Sequence, residues 1–233
     1  MPCTLPASLA DAAVCRGSFH AVLGGEAGEA VFADFSAALQ KAQAEGRILT
    51  ASLFRYENQL FFYAEGLNRP FTPQGLCPAL DAALLPWPPA LGETAPRPWA
   101  AMQPYFYHDV PTTAADWQQG RCPQRRRGRI ALLPPDSWCS YMEHHLRIVT
   151  EGLVEGDRWH LICVQEGVLF SYLEEPRTNV NIKHRPGAHS PELDAWIAAD
   201  PESHFARFTP EQKAHPDSGH NFVFLPRIAG TED

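Results

Sequence analysis

The segment VLFSYLEE, residues 168–175, repeats a pattern that the chain has already used once. In QLFFYAEG, residues 59–66, the same leucine, phenylalanine, tyrosine and glutamate stand 109 residues earlier. A second echo links PALDAAL, residues 78–84, with PELDAWI, residues 191–197. Matching segments at a nearly constant spacing indicate an internal duplication.

The residues around each echo indicate the same order of elements. A short apolar strand leads into a helical pattern, two strands follow with a tight turn between them, and a short helix and a last strand complete the unit. The order β-α-β-β-α-β in about 100 residues is typical of the ferredoxin-like fold. Its single helical layer leaves one face of the sheet uncovered. We therefore predict an α+β chain with two such repeats, packed sheet to sheet as an intrachain dimeric α/β barrel.

The duplication divides the chain into five parts. The prediction is an N-terminal extension over residues 1–17, a first repeat over 18–110, a linker over 111–128, a second repeat over 129–228 and a tail over 229–233. A cluster of arginines stands at the end of the linker. Because the chain as a whole is acidic, we interpret this cluster as solvated rather than as a nucleic-acid site.

Composition narrows the class of protein. The chain has 233 residues, 45% of them hydrophobic, and a net charge of −8. The negative charge disfavours nucleic acid and anionic membranes as partners. No apolar run approaches the roughly 18 residues that cross a bilayer, and the first residues lack the positive charge of a secretory signal. Six scattered cysteines without a CxxC pair fit reduced thiols, so we predict a cytoplasmic protein.

The helical pattern of the second repeat carries the candidate chemistry. A helix that begins at Asp136 or Ser137 places four residues on one stripe, at steps of three and four: Trp138, Tyr141, His145 and Ile148. A stripe that faces a core should be apolar, yet this one contains a phenol and an imidazole one turn apart. The pair is either an acid–base site or two half-buried packing residues with satisfied polar atoms. His144 lies off the stripe and is predicted to face solvent.

From about Arg129 to Pro226 the chain resembles the L-rhamnose mutarotase family. The resemblance is carried by Tyr141 and His145 in YMEHH, by the strand pair around residues 168–175, and by the last strand NFVFLP. It implies a sugar mutarotase, an isomerase that interconverts the anomers of rhamnose or another deoxy sugar. It further implies that His145 donates the proton and that Tyr141 contacts the sugar. Ring opening and closing need only acid–base chemistry, so no cofactor is predicted.

The resemblance also implies substrate contacts. His160 stands where the family has a tyrosine on its second strand, and Tyr172 lies on the neighbouring strand. Phe205 and Ala206 replace a tandem tryptophan that the family has on its second helix. The predicted substrate-binding residues are therefore His160, Phe205 and Tyr172, although the repetition of Tyr172 as Tyr63 also favours a structural role.

The first repeat departs further from the family. It has Val31 and Phe35 at the positions that match Tyr141 and His145, so only the second repeat is expected to bear a site. The fusion makes the chain a pseudo-dimer, and a further homodimer is possible.

Two other functions remain open, a haem-linked or monooxygenase-type enzyme on this fold and a non-catalytic ligand-binding protein. Eight of the ten histidines follow residue 140, including His215 and His220, but their spacing matches no metal motif, so no metal is predicted.

Overall fold

The computed structural model describes residues 6–179, 182–212 and 221–231. The chain forms two compact units. Unit 1 consists of Met1–Met102, Pro111–Pro123 and Pro226–Asp233, and unit 2 consists of Gln103–Val110 and Gln124–Leu225. Among the described residues, no helix combines the length and the apolar character that a membrane span requires.

The elements follow the predicted alternation of strands and helices. Up to residue 118 they are β1 (Val14–Leu23), α1 (Glu29–Ala44), β2 (Ile48–Tyr56), β3 (Gln59–Leu67), α2 (Pro78–Ala82), β4 (Leu84–Leu85), β5 (Ala100–Ala101), β6 (Gln103–Phe106) and α3 (Ala114–Gln118). They continue with β7 (Arg125–Leu132), α4 (Pro135–Glu151), β8 (Val154–Glu155), β9 (Leu161–Gln165), β10 (Val168–Glu175), β11 (Lys183–His184), α5 (Pro191–Ala198), β12 (Val223–Leu225) and β13 (Arg227–Gly230). Short 3-10 helices cover Ala7–Leu9, Pro201–His204 and Pro210–Gln212.

Each unit contains the strand order of a ferredoxin-like sheet. Unit 1 has the order β13-β2-β3-β1-β4, with β5 also paired to β1. Unit 2 has the order β12-β7-β10-β9-β6, and a separate ribbon joins β8 to β11. All of these pairings are antiparallel. The predicted α+β class and the ferredoxin-like repeats are confirmed.

The edge strands come from unexpected parts of the chain. Strand β6 lies near the end of the predicted first repeat but pairs with β9 in unit 2. Strand β13 begins in the last two residues of the predicted second repeat but pairs with β2 in unit 1. Unit 2 therefore takes Gln103–Val110, which the sequence predicts as the end of the first repeat, into its own fold.

Local sequence sets the limits of the elements around the site. Helix α4 begins with Pro135, whose fixed φ suits the first helical position, and it ends before Gly152, which has a φ of 70°. The predicted caps Asp136 and Ser137 are wrong by two and three positions, because the N-cap is Pro134. The hairpin turn predicted before residue 168 is confirmed, with Glu166 and its following glycine both at positive φ.

The arginine cluster of the predicted linker is not a solvated segment. Arg121 is buried and donates two hydrogen bonds to Glu65 in unit 1, at 2.7 and 2.9 Å. Arg126 and Arg127, on β7, form ion pairs with carboxylates of β10 at 3.4 and 2.9 Å. The prediction of a solvated cluster is therefore wrong for these three arginines, since their charges are paired inside the two units.

Gly66 on β3 provides a first test of the unit 1 packing. A Cβ atom at this position would lie 2.3 Å from the Arg69 carbonyl oxygen and 2.9 Å from the Phe71 backbone nitrogen. Because both contacts are backbone atoms, we expect Gly66→Ala to lower the free energy of unfolding by about 1–3 kcal/mol in urea titrations. Gly25→Ala is the control, since a Cβ there meets nothing within 4 Å. Equal stability of the two variants would show that the 66–71 segment adjusts freely.

Candidate functional site

The predicted stripe of helix α4 faces the core of unit 2, with one exception. Tyr141, His145 and Ile148 are buried with exposed fractions of 3%, 4% and 0%, whereas Trp138 is 42% exposed. Tyr141 and Ile148 belong to the apolar cluster between the helices and the sheet of this unit. The stripe is therefore confirmed for its last three residues, and the phenol and the imidazole lie inside a hydrophobic core.

His145 sits inside a shell of four aromatic rings. Its ring centroid lies 4.6 Å from Phe106, 4.8 Å from Trp196, 5.7 Å from Tyr105 and 4.2 Å from Tyr141. The Nδ1 atom is 2.9 Å from the backbone carbonyl of Tyr141. A carbonyl oxygen only accepts hydrogen bonds, so we assign the proton to Nδ1. The Nε2 atom of the neutral ring therefore carries a lone pair that can accept a proton.

The apolar shell controls the charge of His145. Burial lowers the pKa of His145 to about 4, the hydrogen bond to the Tyr141 carbonyl opposes this change, and nearby histidines add to it. At neutral pH the imidazole is consequently uncharged. The neutral ring can accept a proton, but it lacks the additional proton that a histidine acid would donate.

Two phenols stand beside this imidazole. The rings of Tyr105 and Tyr141 lie 6.0 Å apart, edge to face. Burial raises the pKa of Tyr141 to about 12, and burial together with the neighbouring Tyr141 raises the pKa of Tyr105 well above its ordinary value. The Tyr105 hydroxyl is shielded from solvent. It interacts with the Tyr141 hydroxyl but forms no well-aligned hydrogen bond with a described residue. Both tyrosines are thus neutral groups that can donate a hydrogen bond to a ligand.

Arg129 supplies the positive charge of this region. Its guanidinium carbon lies 4.2 Å from the centre of the Phe222 ring. Its Nε is shielded from solvent and unpaired among the described residues. Burial and the charge of Arg177 lower the pKa of Arg129 to about 10, while Tyr141, Tyr105 and Glu202 oppose this change. Arg129 therefore stays charged at neutral pH, and its positive charge lies beside two phenols.

The predicted substrate residues fall at three different places. The Phe205 ring lies 5.1 Å from Tyr141, so these two side chains come together. His160 is buried, and its ring lies 6.3 Å from that of Phe106. Tyr172 points to the opposite face of the sheet, where its hydroxyl donates to Glu174 at 2.6 Å. The structure therefore groups Phe205 with the helix pair and separates Tyr172 from it.

The second helix differs from the one that the resemblance implies. Phe205 follows the 3-10 helix at Pro201–His204 and does not lie on α5. The aromatic residue that α5 does provide is Trp196, whose ring lies 5.3 Å from Tyr141. His144, predicted to face solvent, is half-buried, and its ring lies 5.3 Å from that of Trp196.

Sequence reasoning therefore missed Trp196, Tyr105 and Arg129. Tyr105 was hidden because it stands in the first half of the chain and enters unit 2 on strand β6. Arg129 is the first residue of the predicted second repeat, and nothing in its strand pattern marks it as a site residue.

Unit 1 offers an internal comparison for these positions. Phe19 pairs with Phe62 in unit 1, and Arg129 pairs with Ser171 at the same place in the unit 2 hairpin. Matching the strand registers aligns Arg129 with Phe19 and Tyr105 with Ile228. Matching the helical patterns aligns Tyr141 with Val31 and His145 with Phe35. All four unit 1 residues are apolar and pack in its core.

The same fold is thus built in unit 1 without a polar group at any of these places. Burying polar groups costs stability unless they are fully paired. Their presence in unit 2 is therefore not a requirement of the fold, and it indicates a binding or catalytic site.

Metal binding finds no support in the described part of the chain. No group of three or more histidine, cysteine, aspartate or glutamate side chains there is placed to hold a metal ion. His215 and His220, which belong to the histidine-rich second half, lie outside the described residues.

Comparison with known proteins gives matches of structure but none of sequence. No protein-family model matches the chain, and no curated protein matches it. Similar solved structures include a provisionally named monooxygenase from Lactobacillus acidophilus, with 7% identity, coverage of 94% of this chain and 96% of that chain, and a TM-score of 0.40. A provisionally named monooxygenase from Fusobacterium nucleatum has 10% identity, 95% coverage of both chains and a TM-score of 0.41. An anthrone oxidase-like protein has 8% identity, 92% coverage of both chains and a TM-score of 0.38.

These findings correct the predicted enzyme class. The similar structures carry the names of a monooxygenase or an oxidase-like protein, and none is named as a mutarotase or another isomerase. The site gives a physical reason for the same correction. A mutarotase was expected to use His145 as a proton donor, but a histidine with a pKa of about 4 carries almost no proton at neutral pH. The isomerase prediction is therefore wrong, while the predicted α+β fold with two ferredoxin-like repeats stands.

Proposed function

We propose that the chain is an oxygen-dependent oxidoreductase of the monooxygenase type, with its active site between the helices and the sheet of unit 2. The observation that carries this proposal is the neutral imidazole of His145, whose Nε2 lone pair is available inside an aromatic shell. In this role His145 is a general base that removes a proton from the substrate.

A weak base of this kind fits an acidic substrate. With a pKa of about 4 the imidazole is always unprotonated at neutral pH, but it takes up protons poorly. Proton transfer would leave a substrate anion beside the new imidazolium of His145. The anion would raise the pKa of that imidazolium, because opposite charges attract strongly in a region of low dielectric. Tyr105 and Tyr141 remain protonated there and can each donate a hydrogen bond to the developing negative charge.

The overall reaction balances without an external reductant. A substrate with an activated CH2 group reacts with one molecule of dioxygen to give a carbonyl group and one molecule of water. One oxygen atom ends in the carbonyl and the other in water, which also takes both hydrogens. The carbon loses four electrons and dioxygen gains four. The residues around His145 would hold the substrate, remove its first proton and exclude bulk water from the resulting anion.

The test measures oxygen uptake with cyclic ketones that carry an activated CH2 group. We expect Tyr141→Phe to lower kcat/KM about 10-fold, because the variant keeps the ring but loses a hydrogen bond made in the transition state. Tyr172→Phe is the matched control, since it removes a buried hydroxyl of the same unit that bonds to Glu174 on the other face of the sheet. That control should keep its activity and lose about 1 kcal/mol of stability.

Three other results would change or overturn the proposed function. Equal losses in the two tyrosine variants would move the site away from helix α4 and would revive Tyr172 as a substrate contact. A Soret band in the absorption spectrum of the purified protein would replace the proposal with haem chemistry. Oxygen uptake no faster than in buffer with every compound would overturn the oxidoreductase assignment in favour of ligand binding.

A further inference from the structure

We infer that the unit 2 site takes a planar organic anion, whose oxyanion group is held by Arg129. The inference names the substrate class for the proposed function and rests on that function for the reaction, although binding alone can test it. Its starting point is that Arg129 forms no ion pair with any described residue, whereas the other three arginines of strand β7 each form one.

The other arginines of strand β7 are all paired with carboxylates. Arg125 and Arg127 form ion pairs with Glu175 at 4.0 and 2.9 Å, and Arg126 pairs with Glu174 at 3.4 Å. Arg129 lies opposite Ser171 and Phe224 instead. No ion pair or hydrogen bond of its side chain occurs among the described residues. A guanidinium donor that is shielded from solvent and unpaired costs stability, and a ligand that accepts its hydrogen bond would offset that cost.

The surroundings of Arg129 favour an anion over a cation or a neutral ligand. At neutral pH its neighbours Tyr105 and Tyr141 are uncharged hydrogen-bond donors. Glu202 is the carboxylate whose charge reaches Arg129, but its side chain is engaged by the Asn221 amide. The Tyr105 hydroxyl and Arg129 Nε are both shielded and form no well-aligned hydrogen bond with a described residue. The charge of Arg129 acts on both phenols, so these groups lie close enough to interact with the same anion.

The aromatic rings near Arg129 favour a flat ligand. Arg129 stacks 4.2 Å from the Phe222 ring, Phe222 lies 5.1 Å from Phe205, and Phe205 lies 5.1 Å from Tyr141. Rings of this kind pack against planar ligands through their faces and edges. The guanidinium is itself planar, and its fork of donors matches a carboxylate or an ionised enol or phenol.

The probes are benzoate and benzamide, which share size and shape but differ in charge. Binding to the full-length protein is measured by isothermal titration calorimetry, with wild type, Arg129→Phe and Arg129→Lys. The phenylalanine copies Phe19 at the matching place of unit 1. We expect wild type to bind benzoate about 10- to 100-fold more tightly than benzamide, as a charge-assisted bidentate pair allows. Arg129→Phe should abolish this preference, and Arg129→Lys should keep part of it.

Arg125→Gln is the charge-matched control, because this exposed arginine is paired to Glu175 outside the site, and it should retain the preference. Thermal unfolding tests whether Arg129→Phe is folded. If it is not, Arg129→Gln replaces it in the binding measurements. Equal binding of the two probes by wild type, or a preference that survives in Arg129→Phe, overturns the inference even if oxygen uptake is observed. An Arg129-dependent preference without oxygen uptake retains the anion site and removes the proposed reaction.

Discussion

Replacing His145 with phenylalanine is expected to abolish oxygen uptake, with a loss of about 10²–10⁴-fold in kcat. Phenylalanine is the residue at the matching place of unit 1, where Phe35 is buried in an apolar core. The ring of His145 already lies among Phe106, Trp196 and two tyrosines, so a second apolar ring suits its surroundings. The substitution removes the Nε2 lone pair and keeps the aromatic packing.

The stability of this variant separates catalysis from folding. At pH 7.5 we expect the free energy of unfolding to change by less than about 1.5 kcal/mol, because the exchange conserves shape. His145→Gln is the second variant, in case the larger ring does not fit. It keeps a hydrogen-bond donor but has no basic nitrogen, so it should be equally inactive. Full activity in either folded variant would remove His145 as the base.

The same pair of proteins should differ in their response to acid. Burial lowers the pKa of His145 to about 4 in the folded chain, compared with about 6.5 in an unfolded one. As the pH falls through 6.5, the unfolded chain takes up this proton first, and stability is lost until the pH reaches about 4. The difference in pKa corresponds to about 3 kcal/mol. Wild type should therefore lose that much more stability than His145→Phe between pH 7.5 and 4 in urea titrations.

The fold was predictable because its signals are local and occur twice. Two echoes of the strand and helix sequences, each flanked by turn residues, identify the β-α-β-β-α-β order. The edge strands were not predictable, because β6 and β13 are too short to indicate which sheet they join. Their placement depends on pairing between segments far apart in sequence, as Phe106 with Ile162 shows. Periodicity within a segment carries no information about such pairing.

The candidate site was predictable only where it lies on one helix. Tyr141 and His145 share a stripe with helical spacing, so a pattern of three and four finds them. Tyr105 and Trp196 reach His145 from β6 and α5, and no spacing in the sequence relates these elements to α4. The protonation state of His145 was not predictable either, since its pKa depends on burial by those rings. Comparing the two repeats position by position would have exposed Arg129, which replaces Phe19.

The largest loss of stability is expected from Arg121→Met in unit 1. Glu65 is fully buried and accepts hydrogen bonds from Tyr63 at 2.6 Å, from Trp117 at 3.0 Å and from Arg121 at 2.7 and 2.9 Å. Burial alone would raise the pKa of Glu65, but the charge and the hydrogen bonds of Arg121 hold it below its ordinary value. Removing the guanidinium leaves a desolvated carboxylate, which costs about 3–5 kcal/mol.

A double substitution tests whether this loss of stability comes from the unpaired charge of Glu65. Glu65→Leu combined with Arg121→Met removes both charges, and it should recover most of the stability lost by Arg121→Met alone, because a buried pair adds little beyond a well-packed apolar one. The free energy of unfolding is measured in urea at pH 7.5 for all four members of the cycle. The single variant should also regain stability as the pH falls, because its unpaired Glu65 takes up a proton more readily in the folded chain than in the unfolded one. A loss below about 1 kcal/mol for Arg121→Met would mean that water or Arg16 replaces the missing partner, and that the linker arginine is not what keeps Glu65 ionised.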